Sequence, residues 1–202
     1  MLEEPEYHSA LSKKTTDIQS VYKIQINNNS FAITHDVFDN LPQEYDNVDI
    51  FYSEISWQHG IKIFNERSGV ERDFYQYMER ISQIITHYNK PTIIICGKNA
   101  LKHLPEPKQI IETKLKLAKN SKALAAVYNF EYTGPYETTD DIIETLADTY
   151  NCIGDFCCGY GRSGYIFNKK NKDFVQSDYN PKCIGYIKNY YLKESTPQSH
   201  QS

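Results

Sequence analysis

The sequence of 202 residues predicts an α/β fold with a mainly parallel sheet and helices on both faces. Three observations carry that class. Apolar runs bounded by turn residues alternate with segments whose apolar residues recur at three- and four-residue steps. The run Cys152-Ile-Gly-Asp155 leads into Phe-Cys-Cys-Gly-Tyr-Gly-Arg-Ser-Gly164, where Gly159, Gly161 and Gly164 fall in a G-x-G-x-x-G pattern suited to a sharp strand-to-helix turn. A second run, Lys172-Asp-Phe-Val-Gln-Ser-Asp178, ends in an acid suited to accept hydrogen bonds from ribose hydroxyls.

Taken in order, Tyr22-Lys-Ile-Gln-Ile26 alternates like a strand, and Asn27-Asn-Asn29 turns the chain into a second strand, Phe31-Ala-Ile-Thr34. Asp36 to Leu41 predicts a short helical piece closed by Pro42. Val48-Asp-Ile-Phe-Tyr52 is apolar enough for a strand buried on both faces, ending at Ser53-Glu-Ile-Ser-Trp57. Val70, Phe74, Tyr77, Ile81, Ile84, Ile85 and Tyr88 mark an amphipathic helix. Thr92-Ile-Ile-Ile-Cys96 is a buried strand closed by Gly97. Glu106 to Lys119, rich in lysine, predicts a helix, and Ala123 to Phe130 a strand. Thr138-Thr-Asp-Asp opens a helix carrying Ile142, Ile143, Leu146 and Tyr150, its acids well placed in the first turn. After the glycine loop come a short helix from about Gly161, the strand ending at Asp178, and a last helix from Pro181 to Leu192. Residues 1–18 and 194–202 are polar without periodicity and are expected to be disordered tails around one domain, 19–193.

Composition bounds the function. A hydrophobic fraction of 40% and a charged fraction of 24% are those of an ordinary globular protein. The formal net charge of −4 argues against a binder of nucleic acid that relies on bulk positive charge, though not against a local basic face. Five cysteines at irregular spacing, with no zinc-type pattern, predict a metal-free protein of a reducing compartment, cytoplasmic or, in a eukaryote, nuclear. No apolar run approaches a membrane span, and Met1-Leu-Glu-Glu-Pro-Glu6 lacks a signal-peptide pattern. Seventeen tyrosines against one tryptophan supply packing surface for a core edge, or for bases and sugars.

Position decides what the glycine loop serves. In a dinucleotide-binding dehydrogenase the loop follows the first strand of its domain, with several βα units after it. Here fewer than 40 residues follow Gly164, so that order does not fit. A permuted order does, and with it the chain resembles the amino-methyltransferases that use S-adenosylmethionine to modify exocyclic amines of bases in DNA or RNA. Their cofactor loop, typically Asp-Pro-Phe-Cys-Gly-x-Gly, has its counterpart in Asp155-Phe-Cys-Cys-Gly-Tyr-Gly161. Their ribose-binding acid, followed by Asx-Pro and a helix, is matched by Asp178 and Asn180-Pro181. Upstream, Val37-Phe-Asp-Asn-Leu-Pro42 and the strand to Trp57 follow the outline that leads to the family's Asp-Pro-Pro-Tyr or Asp-Pro-Pro-Trp.

The resemblance covers about residues 20 to 192 and implies a Rossmann-like methyltransferase fold with S-adenosyl-L-methionine as cofactor. It implies cofactor-binding roles for Asp155, Cys157, Gly159, Gly161, Ser163, Asp178 and Asn180. Aligned on Trp57, the catalytic motif becomes Glu54-Ile55-Ser56-Trp57, with Glu54 at the acid and Ile55 and Ser56 at the prolines. In the family the acid and the first proline's carbonyl accept the amine's hydrogen bonds, and the aromatic stacks on the flipped base. Glu54 keeps the charge but reaches roughly an ångström further, an error that can cost orders of magnitude. Losing both prolines removes backbone stiffness. The motif is therefore either a retuned active site, with adenine N6 in DNA as its expected target, or the relic of one in a catalytically inactive subunit that scaffolds an active partner or binds nucleic acid.

Other candidates divide between site and scaffold. Ser53 and Ser56 offer polar contacts to a base or cap a turn. His59 is an acid/base candidate or a satisfied loop histidine. Tyr160 packs over adenine or lies on the surface. Cys157 and Cys158 are small packing residues beside the cofactor rather than nucleophiles. Lys114, Lys116 and Lys119 contact phosphates or form a solvated helix face. No segment is large enough for a target-recognition domain. The expected partners are therefore nucleic acid, DNA ahead of RNA, and a partner methyltransferase subunit or a homodimer, or else a small loop-based substrate grip.

Overall fold

A computed structural model describes residues 22–55, 61–62, 71–116 and 121–194, with side chains to 189. One eight-stranded sheet runs through it in the order β1-β2-β8-β7-β3-β4-β6-β5. The strands are β1 (Lys23–Gln25), β2 (Phe31–Thr34), β3 (Ile50–Glu54), β4 (Thr92–Cys96), β5 (Gln109–Leu115), β6 (Ser121–Tyr128), β7 (Cys152–Asp155) and β8 (Asp173–Asp178). β2, β8, β7, β3 and β4 are parallel, while β1 and the β6–β5 pair are antiparallel at the two margins. The mainly parallel α/β expectation therefore holds.

The helices are α1 (Phe74–Tyr88), α2 (Lys98–Leu101), α3 (Thr139–Thr149), α4 (Arg162–Lys169) and α5 (Pro181–Glu194). α1 buries Phe74, Tyr77, Met78, Ile81, Ile84 and Ile85 against one face of the sheet. α3, α4 and α5 bury Ile142, Ile143, Leu146, Ile166, Phe167, Ile184 and Ile187 against the other. β4 is apolar throughout because both its faces are covered. Asp73 caps α1 by accepting from the backbone N–H groups of Tyr75 and Gln76 at 2.9 and 3.0 Å. Thr138 and Asp141 form a capping box on α3, as the acids of its first turn led one to expect.

Two local expectations fail. The lysine-rich stretch predicted as a helix over 106–119 is instead β5, paired with β6 from Gln109↔Val127 to Leu115↔Ser121. Its Lys, Glu and Leu residues favour helix, but the hairpin ladder and the burial of Ile111 and Thr113 on alternate positions override a weak propensity. Asp36 to Leu41 is a turn, not a helical piece. The Asp36 carboxylate accepts from the Phe38 N–H at 3.1 Å, a local bond that competes with helix, and the helical turn comes after Pro42, a 3-10 segment at Gln43–Asn47.

The topology makes a crevice. β7 connects through α4 to β8 on one side, and β3 through α1 to β4 on the other. The crossovers part between β7 and β3, which are paired neighbours. A parallel sheet opens a binding crevice at the carboxyl ends of strands that part in this way. Among the described residues no helix is long and apolar enough to cross a membrane.

Candidate functional site

Asp155 ends β7 and Glu54 ends β3, which runs on past the residues paired with β7, and both acids border the mouth of that crevice. Asp155 is only 3% exposed and is a hub rather than a free group. Its carboxylate accepts from the Ser53 hydroxyl at 3.0 Å, the Ser163 hydroxyl at 2.6 Å and the Cys157 N–H at 3.2 Å. Ser163 in turn accepts from Gln176 Nε2 at 2.8 Å. Burial pushes the Asp155 carboxyl up to about 7, against the three donors that favour its charge. Ser53 is fully buried and also accepts from the Phe156 N–H at 3.0 Å. It is thus a strut between β3 and the loop after β7, not a cap on a turn beyond β3.

The loop is tied down from the other side by Asp178 at the end of β8. Its carboxylate accepts from the Gly159 N–H at 2.9 Å and the Asn180 N–H at 2.8 Å. Burial raises its pKa despite those bonds. Gly161 sits at φ +83, and a Cβ there would meet Ile187 at 2.8 Å, so only glycine fits. Gly159, at φ +51, has nothing within 4 Å of a Cβ position, so bare backbone faces open space. Asn180 caps α5 by accepting from the Lys182 N–H at 3.0 Å.

Glu54 accepts from the Tyr52 hydroxyl at 2.7 Å and from Thr139. Its pKa is raised, by burial first and then by the charge of Asp140, while the two hydroxyls pull it down. By surface area Glu54 is exposed, whereas the atoms crowded round its carboxyl count it as buried. Both hold for a group on the floor of an open crevice, reachable by a ligand but poorly hydrated. Asp140 is ion-paired to Arg162, whose Nε lies 3.1 Å from Oδ1.

Two cavities meet at this point. One, of about 210 Å³, is bordered by His35, Phe38, Phe156, Asp178 and Tyr179; the other, of about 220 Å³, by Tyr52, Asp155, Tyr160, Arg162 and Ser163. Glu54, Cys157 and Gly159 border both. His35 follows β2, and burial lowers its pKa, so the ring is neutral at pH 7. One ring N–H bonds the Asp39 carbonyl, and the buried Nε2 has no partner among the described residues, which leaves it a lone-pair acceptor. Aromatic walls, an acid and an orphan acceptor suit a nucleoside in the first chamber. The donors and acids of the second suit an amino-acid-like tail.

Of the residues singled out in the sequence, Glu54, Cys157, Gly159 and Asp178 border the first chamber, and Asp155 and Ser163 the second. Gly161 and Asn180 shape the loop and the α5 cap behind them. Ile55 is buried, its N–H donating to the Ile95 carbonyl at 3.1 Å. Ser56, Trp57 and His59 lie outside the described residues, as do Lys119 and the segments 1–21 and 195–202. Tyr160 packs edge-on against Tyr186 at 5.4 Å. Cys157 Sγ lies 3.2 Å from the Tyr77 hydroxyl, and burial raises its pKa, which removes it as a thiolate nucleophile. Sequence reasoning missed Tyr52 and His35. Period-2 alternation places Tyr52 and Glu54 on one face of β3, a signal that was available. His35 comes one residue after the end of β2, whose last residue, Thr34, pairs with Asp178.

No protein family and no curated protein matches the chain. Among solved structures it is similar to M1.HpyAVI, at 13% identity and a TM-score of 0.51, over 79% of this chain and 97% of that one. The complex of M1.HpyAVI with SAM has a TM-score of 0.45 at 13% identity, covering 72% and 88%. TTHA0409 of Thermus thermophilus, named as a putative DNA modification methylase and solved with S-adenosyl-L-methionine, has a TM-score of 0.47 at 10% identity, covering 75% and 88%. At 13% identity the likeness to M1.HpyAVI is one of fold.

Proposed function

We propose that this chain binds S-adenosylmethionine at the switch point of its sheet and methylates an exocyclic amine of a nucleic-acid base, adenine N6 in DNA first among the candidates. The observation that carries the reading is the meeting of two ligand-sized chambers at Glu54, beside a glycine loop pinned by Asp155 and Asp178. When bound, the cofactor supplies an electrophilic methyl group that passes from a sulfonium to the amine nitrogen, the C–S bond breaking as the N–C bond forms. Asp178 accepts from the ribose hydroxyls with the lone pairs its two backbone donors leave free. Phe38 and Phe156 wall the purine, and His35 Nε2 accepts from its amine. Cys157 fills the floor between the chambers, while Ser163 and Asn180 hold the loop and helix that shape them.

Glu54 then accepts an N–H of the target amine, holding its nitrogen lone pair toward the methyl group, and takes the proton that the methylated amine sheds. The Ile55 carbonyl is the second acceptor, and Trp57, with Ser56 beside it, stacks on the base. Methyl transfer from labelled cofactor to a panel of DNAs and RNAs tests this. Incorporation that falls about 100-fold or more in Glu54→Gln, with cofactor affinity kept within a few-fold, is the expected outcome. Equal incorporation by wild type and variant sinks the assignment of Glu54.

One observation favours a second reading. Glu54 already accepts from Tyr52 and Thr139, an arrangement that suits a carboxylate retired to a structural role in a subunit that scaffolds an active partner. No incorporation by the chain alone, but recovery when a catalytically competent methyltransferase subunit is co-purified, would select it.

A further inference from the structure

A larger cavity, about 790 Å³, opens beside the crevice. Its walls come from α2, the end of β5, the start of β6 and Tyr136–Glu137. β6 is antiparallel to β4 and β5 to β6, so all these segments lie along the same sheet edge as Glu54. Glu54 pairs with Ile95, and Cys96, next along β4, already borders the cleft. The cleft therefore begins about 5 Å, one strand spacing, from β3.

Lys98, Lys114 and Lys122 line it, against Glu112 and Glu137. Lys114 and Lys122 stand directly opposite one another in the β5–β6 ladder, an arrangement that destabilises a sheet unless something offsets it. Four other cations pair with acids, Lys23 with Glu44, Arg72 with Asp36, Arg162 with Asp140 and Lys170 with Asp148, and Arg80 and Lys90 bond backbone carbonyls. Among the described residues the ammonium groups of Lys98, Lys114 and Lys122 have no ion pair or hydrogen bond. Tyr136, at the rim, is 52% exposed. Thr113, which also borders the cleft, keeps a buried hydroxyl without a partner among the described residues. Free cations beside an exposed aromatic are the combination that single-stranded nucleic acid uses, phosphates on the cations and a base on the ring. A cleft of this volume takes a few nucleotides and not a duplex, and a base can be methylated only once it has left its stack. An acidic peptide would satisfy the lysines but gives Tyr136 no flat partner.

We propose that this cleft holds the single-stranded segment next to the target base, with phosphates on Lys114 and Lys122, Lys98 at the α2 wall, and a neighbouring base stacked on Tyr136. The proposal rests on the reading above, in which Glu54 receives the base.

The test is fluorescence anisotropy of a short labelled single strand, as DNA and as RNA, with its duplex and a poly-glutamate peptide as competitors, across a salt series. Each variant is also titrated calorimetrically with S-adenosylmethionine. Combined Lys114→Ala and Lys122→Ala should lower the slope of log affinity against log salt by about 1.4, at ~0.7 per phosphate contact. Tyr136→Ala should weaken binding about tenfold with the slope unchanged. Lys188→Ala, on α5, which packs over β2 and β8 at the other end of the sheet, should change neither. Whichever of DNA and RNA binds tighter names the polymer. If the single strand binds and depends on the lysines but the cofactor does not bind, the cleft stands and the methyltransferase reading falls. If the cofactor binds while strand binding ignores the lysines, the cleft assignment is overturned and the reading survives. No strand binding, preference for duplex, or displacement by the peptide alone also overturns it.

Discussion

At the scale of single residues, Asp155 shows how the crevice stores electrostatic cost. Its carboxyl is satisfied by Ser53, Ser163 and the Cys157 N–H, yet burial still pushes it up to about 7. An acid whose folded pKa lies above its unfolded value stabilises the fold below the unfolded pKa. That stability is lost as pH rises through the folded pKa. For Asp155 the window runs from the ordinary aspartate range to about 7. Wild type should therefore lose stability relative to Asp155→Asn as pH rises through that window, by at most ~1.4 kcal/mol per unit. Urea unfolding of both proteins across the window measures it. Parallel stability curves would mean that Asp155 is no more strained than in the unfolded chain.

The glycine loop is the element on which the site hangs, and its glycines are not equivalent. At Gly161 a methyl group would meet Ile187 and Gln176 as well as a left-handed φ, whereas at Gly159 it would point into open space. Gly161→Ala should cost about 1–3 kcal/mol of stability. Gly159→Ala, also at a left-handed φ but without a clash, should cost about 1–2 kcal/mol and in addition crowd the ligand. Thermal unfolding with and without S-adenosylmethionine separates them. A Gly159→Ala protein with full affinity for the cofactor would show that bound ligand does not approach this backbone. The same element shows why Asp178 and Gly159 matter jointly: the loop's N–H is held by the acid that faces the first chamber.

For the whole molecule, the three acids Glu54, Asp155 and Asp178, the loop and the orphan His35 sit on four parallel strands whose carboxyl ends share one edge. Filling the chambers should therefore stabilise the entire sheet and not one loop. At a cofactor concentration ~100 times its dissociation constant the gain is about 2.7 kcal/mol, which for a chain of this size raises Tm by roughly 5–10 °C. Scanning calorimetry at increasing S-adenosylmethionine reads this directly, and Asp178→Ala should flatten the response. An unmoved Tm at saturating concentration would remove the cofactor from the proposal.

The strand ends, the helix caps and the glycine pattern were legible in the sequence because each is a local matter. Turn residues bound β2 and β4, Thr138 and Asp141 cap α3 within four residues, and a left-handed φ at Gly161 demands glycine wherever the loop lies. From these the α/β class and the order of its parts follow. What depends on distant partners was not legible. The stretch Gln109–Leu115 carries helix-forming residues and became a strand only because β6 pairs with it. Ser53 looked like a turn residue until Asp155, 102 positions away, was brought within 3.0 Å of its hydroxyl. The cleft of Lys98, Lys114 and Lys122 gathers residues from three elements and could not be seen along the chain. The sequence by itself determined which elements form and where a ligand loop must turn. Only the tertiary structure decided which charges face one another, because burial and pairing are properties of neighbours in space.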